Sequence, residues 1–323
     1  MSASISAEAS RKHYYRVLFP AAVEEGFALL LTCNNAFALE RVEVSYRGLN
    51  RQNGKDFMRR HLYFHAASDL VADCNQRTPL TLQLGGVLPV PPLGAKPEET
   101  IQRIPGVHGN HYVASALGPL MLDIDANDYI YRGEICSCAA GKTLCQECWD
   151  ALLQPARHII RYLLRDVFCL GRLFDTYSGR RGIHTWCYDE RVVCWTRDQR
   201  ATFMARISAK AVLEAGDDHA DVIEDLIKAH VPAQHLRPGM NRQDLFDRFY
   251  PRFDVNVSTD AGHLKGLPLS MHHATRYLRI PLPPLDGPYR FDLAHDRPRA
   301  GDNVTRPGDM RVFMRAIVNM AFY

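Results

Sequence analysis

The hydrophobic pattern of this chain changes period several times. Residues 9–32 carry apolar positions at helical spacing, interrupted by Pro20. From Arg41 to Leu49 the period falls to two: Val42, Val44 and Tyr46 share one face, Glu43 and Ser45 the other. LTLQLGGVL repeats the alternation, with Leu80, Leu82 and Leu84 opposite Thr81 and Gln83. A proline-rich stretch, PVPPLGAKPEE, separates it from a third strand ending at Asp125. Helical spacing returns from Trp149 through Leu152, Ala156, Ile160 and Leu164 to Val167, with Pro155 in the first turn or kinking it. GIHTWCY and RVVCWT are predicted as strands, and Gln199 to His230 as a helical stretch. FDVNVS and YLRIPL are again predicted strands, Pro281 to Asp309 is loop-like, and a short amphipathic segment closes the chain. Strands and helices in this mixed order predict an α+β fold. The expected division is a core of residues 1–196 and 248–323, with a small helical subdomain at 197–247.

Composition narrows the class. With 323 residues, 46% hydrophobic and 23% charged, the chain can bury a sizeable core. Its apolar runs fall short of the ~20 residues that span a bilayer, and MSASISAEASRKHYYRVLF lacks a signal pattern. The nine cysteines are therefore expected as reduced thiols or metal ligands, and the sequons at Asn256 and Asn303 as silent. A net charge of +3 sets up no global field for nucleic acid. Local arginine clusters near Arg60 and Arg180, and in HLRPGMNRQDLFDRFYPRF, could supply one instead.

Candidate chemistry begins at LDIDANDY. Alternate strand residues share a face, so Asp123 and Asp125 point the same way about 7 Å apart. Like charges there repel unless a cation intervenes, and Asp128 adds a third. Three readings fit: solvated acids, a calcium loop, or a catalytic site for a divalent cation. The calcium loop requires glycine at its sixth position, where Asp128 stands. Asp254, expected on the outer face of the FDVNVS strand with Asn256, is a candidate third carboxylate.

Close behind, Cys136, Cys138, Cys145 and Cys148 form C-x-C-x6-C-x2-C within thirteen residues. That spacing can place four thiolates around one tetrahedral, structural zinc. Cys33, Cys74, Cys169, Cys187 and Cys194 are expected in the core. In YSGRRGIHTW, Gly179 and Gly182 allow a tight turn, and Arg180 and Arg181 offer forked donors for phosphate. His184 shares a face with Trp186 and Tyr188.

Together these pieces resemble the catalytic (small) subunit of the archaeal and eukaryotic DNA primases. Five blocks carry the likeness, in the family's order, from about Lys12 to Leu282: KHYYRVLFP, LDIDANDY, YSGRRGIHTW, YPRFDVNVS and GHLKGLPLSMHHAT. The resemblance implies the archaeo-eukaryotic primase core with an RRM-like sheet, a zinc-binding loop (136–148) and the helical subdomain. It implies that Asp123, Asp125 and Asp254 bind two Mg²⁺ or Mn²⁺ ions. It further implies nucleotide contacts from Ser178, Arg180, Arg181, His184 and His272, with Arg60 and Glu43 near the site. The implied activity is synthesis of short RNA primers on single-stranded DNA from NTPs. Implied partners are the large primase subunit and, through it, the DNA polymerase alpha complex; the implied location is the nucleus, or the cytoplasm outside eukaryotes.

Three departures stand out. The lysine of the family's H-L-L-K falls at Gly266, with Lys265 one position early, so the loop is re-registered or a phosphate contact is lost. Gln83 stands where relatives have an acid, and Ser137 splits a cysteine pair that relatives keep adjacent. Two other functions fit the same residues: a primase-polymerase or gap-filling polymerase preferring deoxynucleotides, and a non-catalytic zinc-containing nucleic-acid-binding module.

Overall fold

The computed structural model describes residues 7–50, 55–88, 117–138, 144–216, 218–287, 290–298 and 306–322. PVPPLGAKPEE and the Asn303 sequon lie outside them. The first helix, α1, runs through residues 7–31, with α-helical segments alternating with π-helical turns at Tyr14–Leu18 and Val23–Phe27. Pro20 does not interrupt it. It opens the segment after the first wide turn, where a missing N–H costs least. Tyr14, Tyr15, Leu18 and Phe19 are fully buried on this helix.

Strands β1 (Val42–Leu49) and β2 (Asp56–Leu62) are followed by helix α2 (Ala67–Arg77) and strand β3 (Thr81–Val87). The alternation in β1 does not mark a wet face, because Glu43 and Ser45 are as buried as Val42 and Val44. Strand β4 (Leu120–Asp125) leads into a second long helix, α3, over residues 146–167. A π-helical turn at Trp149–Leu153 again precedes its proline, Pro155. Strands β5 (Leu173–Tyr177) and β6 (Gly182–Cys187) complete an antiparallel sheet of order β4-β6-β5.

The register of this sheet separates two kinds of carboxylate. Asp123 lies opposite His184 and Asp125 opposite Gly182, while Leu122 lies opposite Thr185, which also pairs with Asp175. The Asp175 face is closed by α3: Arg157 and Arg161 reach Asp175 at 3.1 and 3.2 Å, and Thr185 donates to it at 2.7 Å. The Asp123 face carries the candidate chemistry.

The chain continues through α4 (Arg197–Arg206), α5 (Ala209–Ala215), α6 (Asp218–His230) and α7 (Arg242–Phe249). The apolar spacing predicts one helical stretch from Gln199 to His230; Ser208 and Gly216 break it, the first as an N-cap and the second in the left-handed conformation. RVVCWT is not a strand either. Asp189 caps a helical turn, Glu190–Val193, and that local hydrogen bond outweighs the β propensity of paired valines.

FDVNVS is also corrected. Phe253 makes a single bridge to Ile124, and Asp254 then caps the short helix α8 (Val255–Thr259). Val255 is consequently exposed, whereas Val257 is buried. The two-residue strand β7 (Lys265–Gly266) pairs with β3, completing the order β2-β1-β3-β7. YLRIPL forms isolated bridges and scattered bonds to β5 rather than a strand. Helix α9 (Pro307–Phe322) packs against α1. The described chain is thus α+β, with helices around two antiparallel sheets and a shared core. Among the described residues, no helix is long and apolar enough to cross a membrane.

Candidate active site

Backbone pairing builds the acidic cluster. The Phe253–Ile124 bridge brings the amide of Asp254 onto the carbonyl of Asp123 at 3.0 Å. Asp254 therefore stands beside the paired acids although well over a hundred residues separate them in sequence. Burial, then repulsion from Asp254, Asp125 and Asp128, pushes the Asp123 carboxyl up to about 7. Asp128 is raised by burial and by Asp125 and Asp254.

Two of the acids have substitute partners. Arg181 reaches Asp125 through Nη2 at 2.9 Å and Nε at 3.2 Å. Asp254 Oδ1 accepts from the Val257 amide at 3.1 Å. His184 Nε2 lies 3.5 Å from Asp123, but burial and Arg279 push this imidazole down to about 3, so it is neutral. Its Nδ1 is buried without a hydrogen-bond partner.

The donor set suits a hard divalent cation, since carboxylate oxygens that repel one another are stabilised by a charge between them. Among the described residues, the one group with three or more ligand atoms within 4.8 Å of one another is the cysteine cluster, so the acids are not closed into a cage. A cation would have to draw Asp125 away from Arg181.

Beside the acids, residues 178–182 form a tight turn. Ser178 Oγ accepts from the Gly182 amide at 3.0 Å, and Tyr177 donates to the Arg180 carbonyl at 2.9 Å. Gly179 has φ +84, and a Cβ there would meet His272 at 2.8 Å. At Gly182 a Cβ would lie 2.1 Å from the Ile124 carbonyl oxygen, so only glycine lets β6 approach β4 here. His272 is buried against this turn, pushed down to about 2 by burial and by Arg279, His273, Arg180 and His184.

Glu43 and Arg60 form a two-pronged pair, at 3.0 and 3.1 Å, with Ser45 and the His61 amide also donating to Glu43. The arginines of 236–252 are similarly engaged. Arg237 and Arg248 share Glu134, and Arg242 pairs with Asp221 and Glu224. Glu134, which would be the twelfth position of a calcium loop beginning at Asp123, therefore faces arginines rather than the acids.

The displaced lysine is resolved by geometry. Lys265 is buried, and its Nζ donates to the carbonyls of Asp260, Ala261 and His263 at 2.9–3.3 Å, so it braces its own loop. Arg279, not singled out from the sequence, fills the space beside Gly266. The available signal was a charged residue between Leu278 and Ile280 in an apolar run.

The four cysteines converge. Cys136 and Cys145 sulfurs are 3.1 Å apart, Cys138 and Cys148 3.7 Å, and all four lie within 4.8 Å of one another. A tetrahedron with Zn–S of about 2.3 Å has edges of roughly 3.8 Å, so the cluster is compatible with zinc. Arg132 donates to the sulfurs of Cys138 at 3.0 Å and Cys148 at 3.4 Å, as suits thiolates. Of the other cysteines, Cys33, Cys74 and Cys187 are buried as expected, but Cys169 and Cys194 are exposed.

The sequence that builds this geometry is similar to that of known proteins. The family model described as DNA primase small subunit matches residues 122–284, just over half of the chain. The DNA primase small subunit of Drosophila melanogaster is 29% identical over 176 residues, 54% of this chain and 35% of the relative. That of Saccharomyces cerevisiae is 26% identical over 168 residues, 52% and 34% respectively. That of Schizosaccharomyces pombe is 30% identical over 86 residues, 27% and 18%. The alignments with the first two span about a third of the relatives' length. The polymerase domain of Mycobacterium tuberculosis Ligase D, solved with DNA, superposes over 94% of this chain and 91% of its own, with a TM-score of 0.48 and 13% identity. The matched segment contains the acidic end of β4, the 178–184 turn, Asp254 and His272, and this chain belongs to the DNA primase small subunit family.

Proposed function

We propose that the chain is a primase-type nucleotidyltransferase that makes short RNA primers from NTPs on single-stranded DNA. The observation that carries this reading is the bond from the Asp254 amide to the Asp123 carbonyl, which assembles three carboxylates opposite the Arg180–Arg181 turn. Asp123, Asp125 and Asp254 would hold two Mg²⁺ or Mn²⁺ ions. Such ions, when bound, acidify an attacking 3′-hydroxyl and neutralise the leaving pyrophosphate. Arg181 exchanges its bond to Asp125 for a phosphate oxygen, which couples nucleotide entry to release of that carboxylate. Arg180 adds a second fork. Neutral His184 and His272 donate hydrogen bonds without adding charge, and Ser178 holds the turn that aims them. On the other sheet Arg60, paired with buried Glu43 but itself part-exposed, is the candidate for template phosphates.

In this reading the four cysteines hold a structural zinc that fastens the loop after β4, and 197–247 is a helical subdomain beside the core. The family's large subunit and the polymerase alpha complex are the proposed partners, in a nuclear setting if the source is eukaryotic. Gln83 favours a second reading, a deoxynucleotide-using polymerase of the same superfamily: its amide oxygen is buried without a hydrogen-bond partner, at a position where the family resemblance implies an acid. The test is template-dependent synthesis by the purified chain with Mn²⁺ or Mg²⁺, comparing ribo- and deoxynucleotides. Primers built from NTPs without a starting strand support the first reading. Extension only with dNTPs supports the second, and DNA binding without incorporation leaves a binding module.

A further inference from the structure

Arg279 is one of the most buried charges in the molecule, only 6% exposed. Its Nη1 donates to Thr81 Oγ1 at 3.1 Å, Ser270 Oγ at 2.8 Å and the Met271 carbonyl at 3.1 Å. All three partners are neutral. Its Nε is buried with no hydrogen-bond partner. A buried guanidinium that bonds only neutral groups is costly, and proteins normally supply it with an anion.

Its surroundings are those of the candidate site. Its stem passes Gly179, whose built Cβ would lie 3.6 Å from Arg279 Cγ. The carboxylate that acts on it is Asp123, and its charge is felt by His184 and His272. The two sheets meet around it, because Gly266 pairs with Gln83 while the Gly179 turn enters β6. The orphaned atoms His184 Nδ1 and Gln83 Oε1 belong to these same surroundings.

Gly266 makes room for it. A Cβ at Gly266 would lie 2.2 Å from Arg279 Nε and 2.6 Å from Cζ, so even alanine would collide with the guanidinium. A long side chain at 266 and an arginine at 279 exclude one another.

We propose that Arg279 is a phosphate-binding residue of this site, with Gly266 kept small to admit its guanidinium and the polyphosphate of a nucleoside triphosphate as its missing anion. This rests on the proposed function, in which the site accepts such a nucleotide. Arg279 thus supplies the positive charge that Lys265, spent on loop carbonyls, does not.

The test is calorimetric titration of the full chain, in the presence of Mn²⁺, with inorganic tripolyphosphate and separately with ATP. Wild type binds both. Arg279→Met weakens both by about 10- to 100-fold, the loss of a charged hydrogen-bond partner. Arg279→Lys, which keeps the charge but not the fork, loses less. Gly266→Ala weakens both although Arg279 is retained, and it carries the test if Arg279→Met does not fold. Gly266→Lys combined with Arg279→Ser recovers affinity, which a purely structural role for Arg279 does not predict. Wild-type affinity in folded Arg279→Met, or in Gly266→Ala, overturns the proposal alone. Failure of wild type to bind either probe overturns it together with the nucleotide-binding reading.

Discussion

Asp123 and Asp175 sit on the two faces of one small sheet, the first part-buried with its side chain 27% exposed and the second only 2% exposed, and their surroundings treat them oppositely. Burial would raise Asp175, but Arg161 and Arg157, with a hydrogen bond from Thr185, reverse this and hold its carboxyl below the usual range. Asp123 faces further acids and a neutral histidine, and is pushed up to about 7. The first arrangement spends its charges on holding α3 against β5. The second leaves repulsion unrelieved, which the fold tolerates where an ion or ligand completes the site. Satisfied charge marks structure in this sheet, and unsatisfied charge marks chemistry.

The comparison can be broken by substitution. Asp123→Asn should reduce nucleotide incorporation by about 10²–10³-fold or more, with the thermal midpoint unchanged or raised because a repelled charge is gone. Asp175→Ala should do the reverse. Stranding Arg157 and Arg161 should cost about 3–5 kcal/mol in urea unfolding. If Asp123→Asn proved the more destabilising of the two, the distinction between the faces would fail.

The cysteine loop gives an intermediate case, whose four converged sulfurs are compatible with a bound zinc. Cys145→Ser should remove zinc, detected by elemental analysis, and lower the thermal midpoint. The loss is expected on the order of several kcal/mol of apparent stability, since binding a structural zinc contributes to folding directly.

The two carboxylates also differ in how they couple stability to pH. Folded Asp123 keeps its proton up to about pH 7, whereas the unfolded chain releases it near pH 4. Its contribution to stability is therefore present at low pH and lost as the pH rises through that window. Asp175 has the opposite sign: its contribution is present above the ordinary carboxylate pKa and lost as the pH falls through its lowered value. Urea midpoints from pH 4.5 to 7.5 should fall less steeply in Asp123→Asn than in wild type.

Much of this was legible in the sequence where the signal was long or spaced. The alternation in VEVSYRGL and the apolar run ending in LDID correspond to β1 and β4, and the cysteine spacing corresponds to a converged cluster. Short segments misled because one capping side chain decides them. Asp189 and Asp254 each turn a β-branched run into a helical turn. Pro20 looked like a break and Pro155 like a first-turn residue or a kink, because the π-helical turn before each cannot be seen in apolar spacing. Arg279 stayed hidden because its meaning depends on Gly266, thirteen residues away, and on a collision that only the folded backbone creates.

The central claim is that Asp254 joins Asp123 and Asp125 in holding divalent cations. Titrating Mn²⁺ while following the free aqueous ion by electron paramagnetic resonance tests it directly. Wild type should deplete the free-ion signal, whereas Asp254→Asn and Asp123→Asn should each leave most of it. Equal depletion by all three proteins would contradict it.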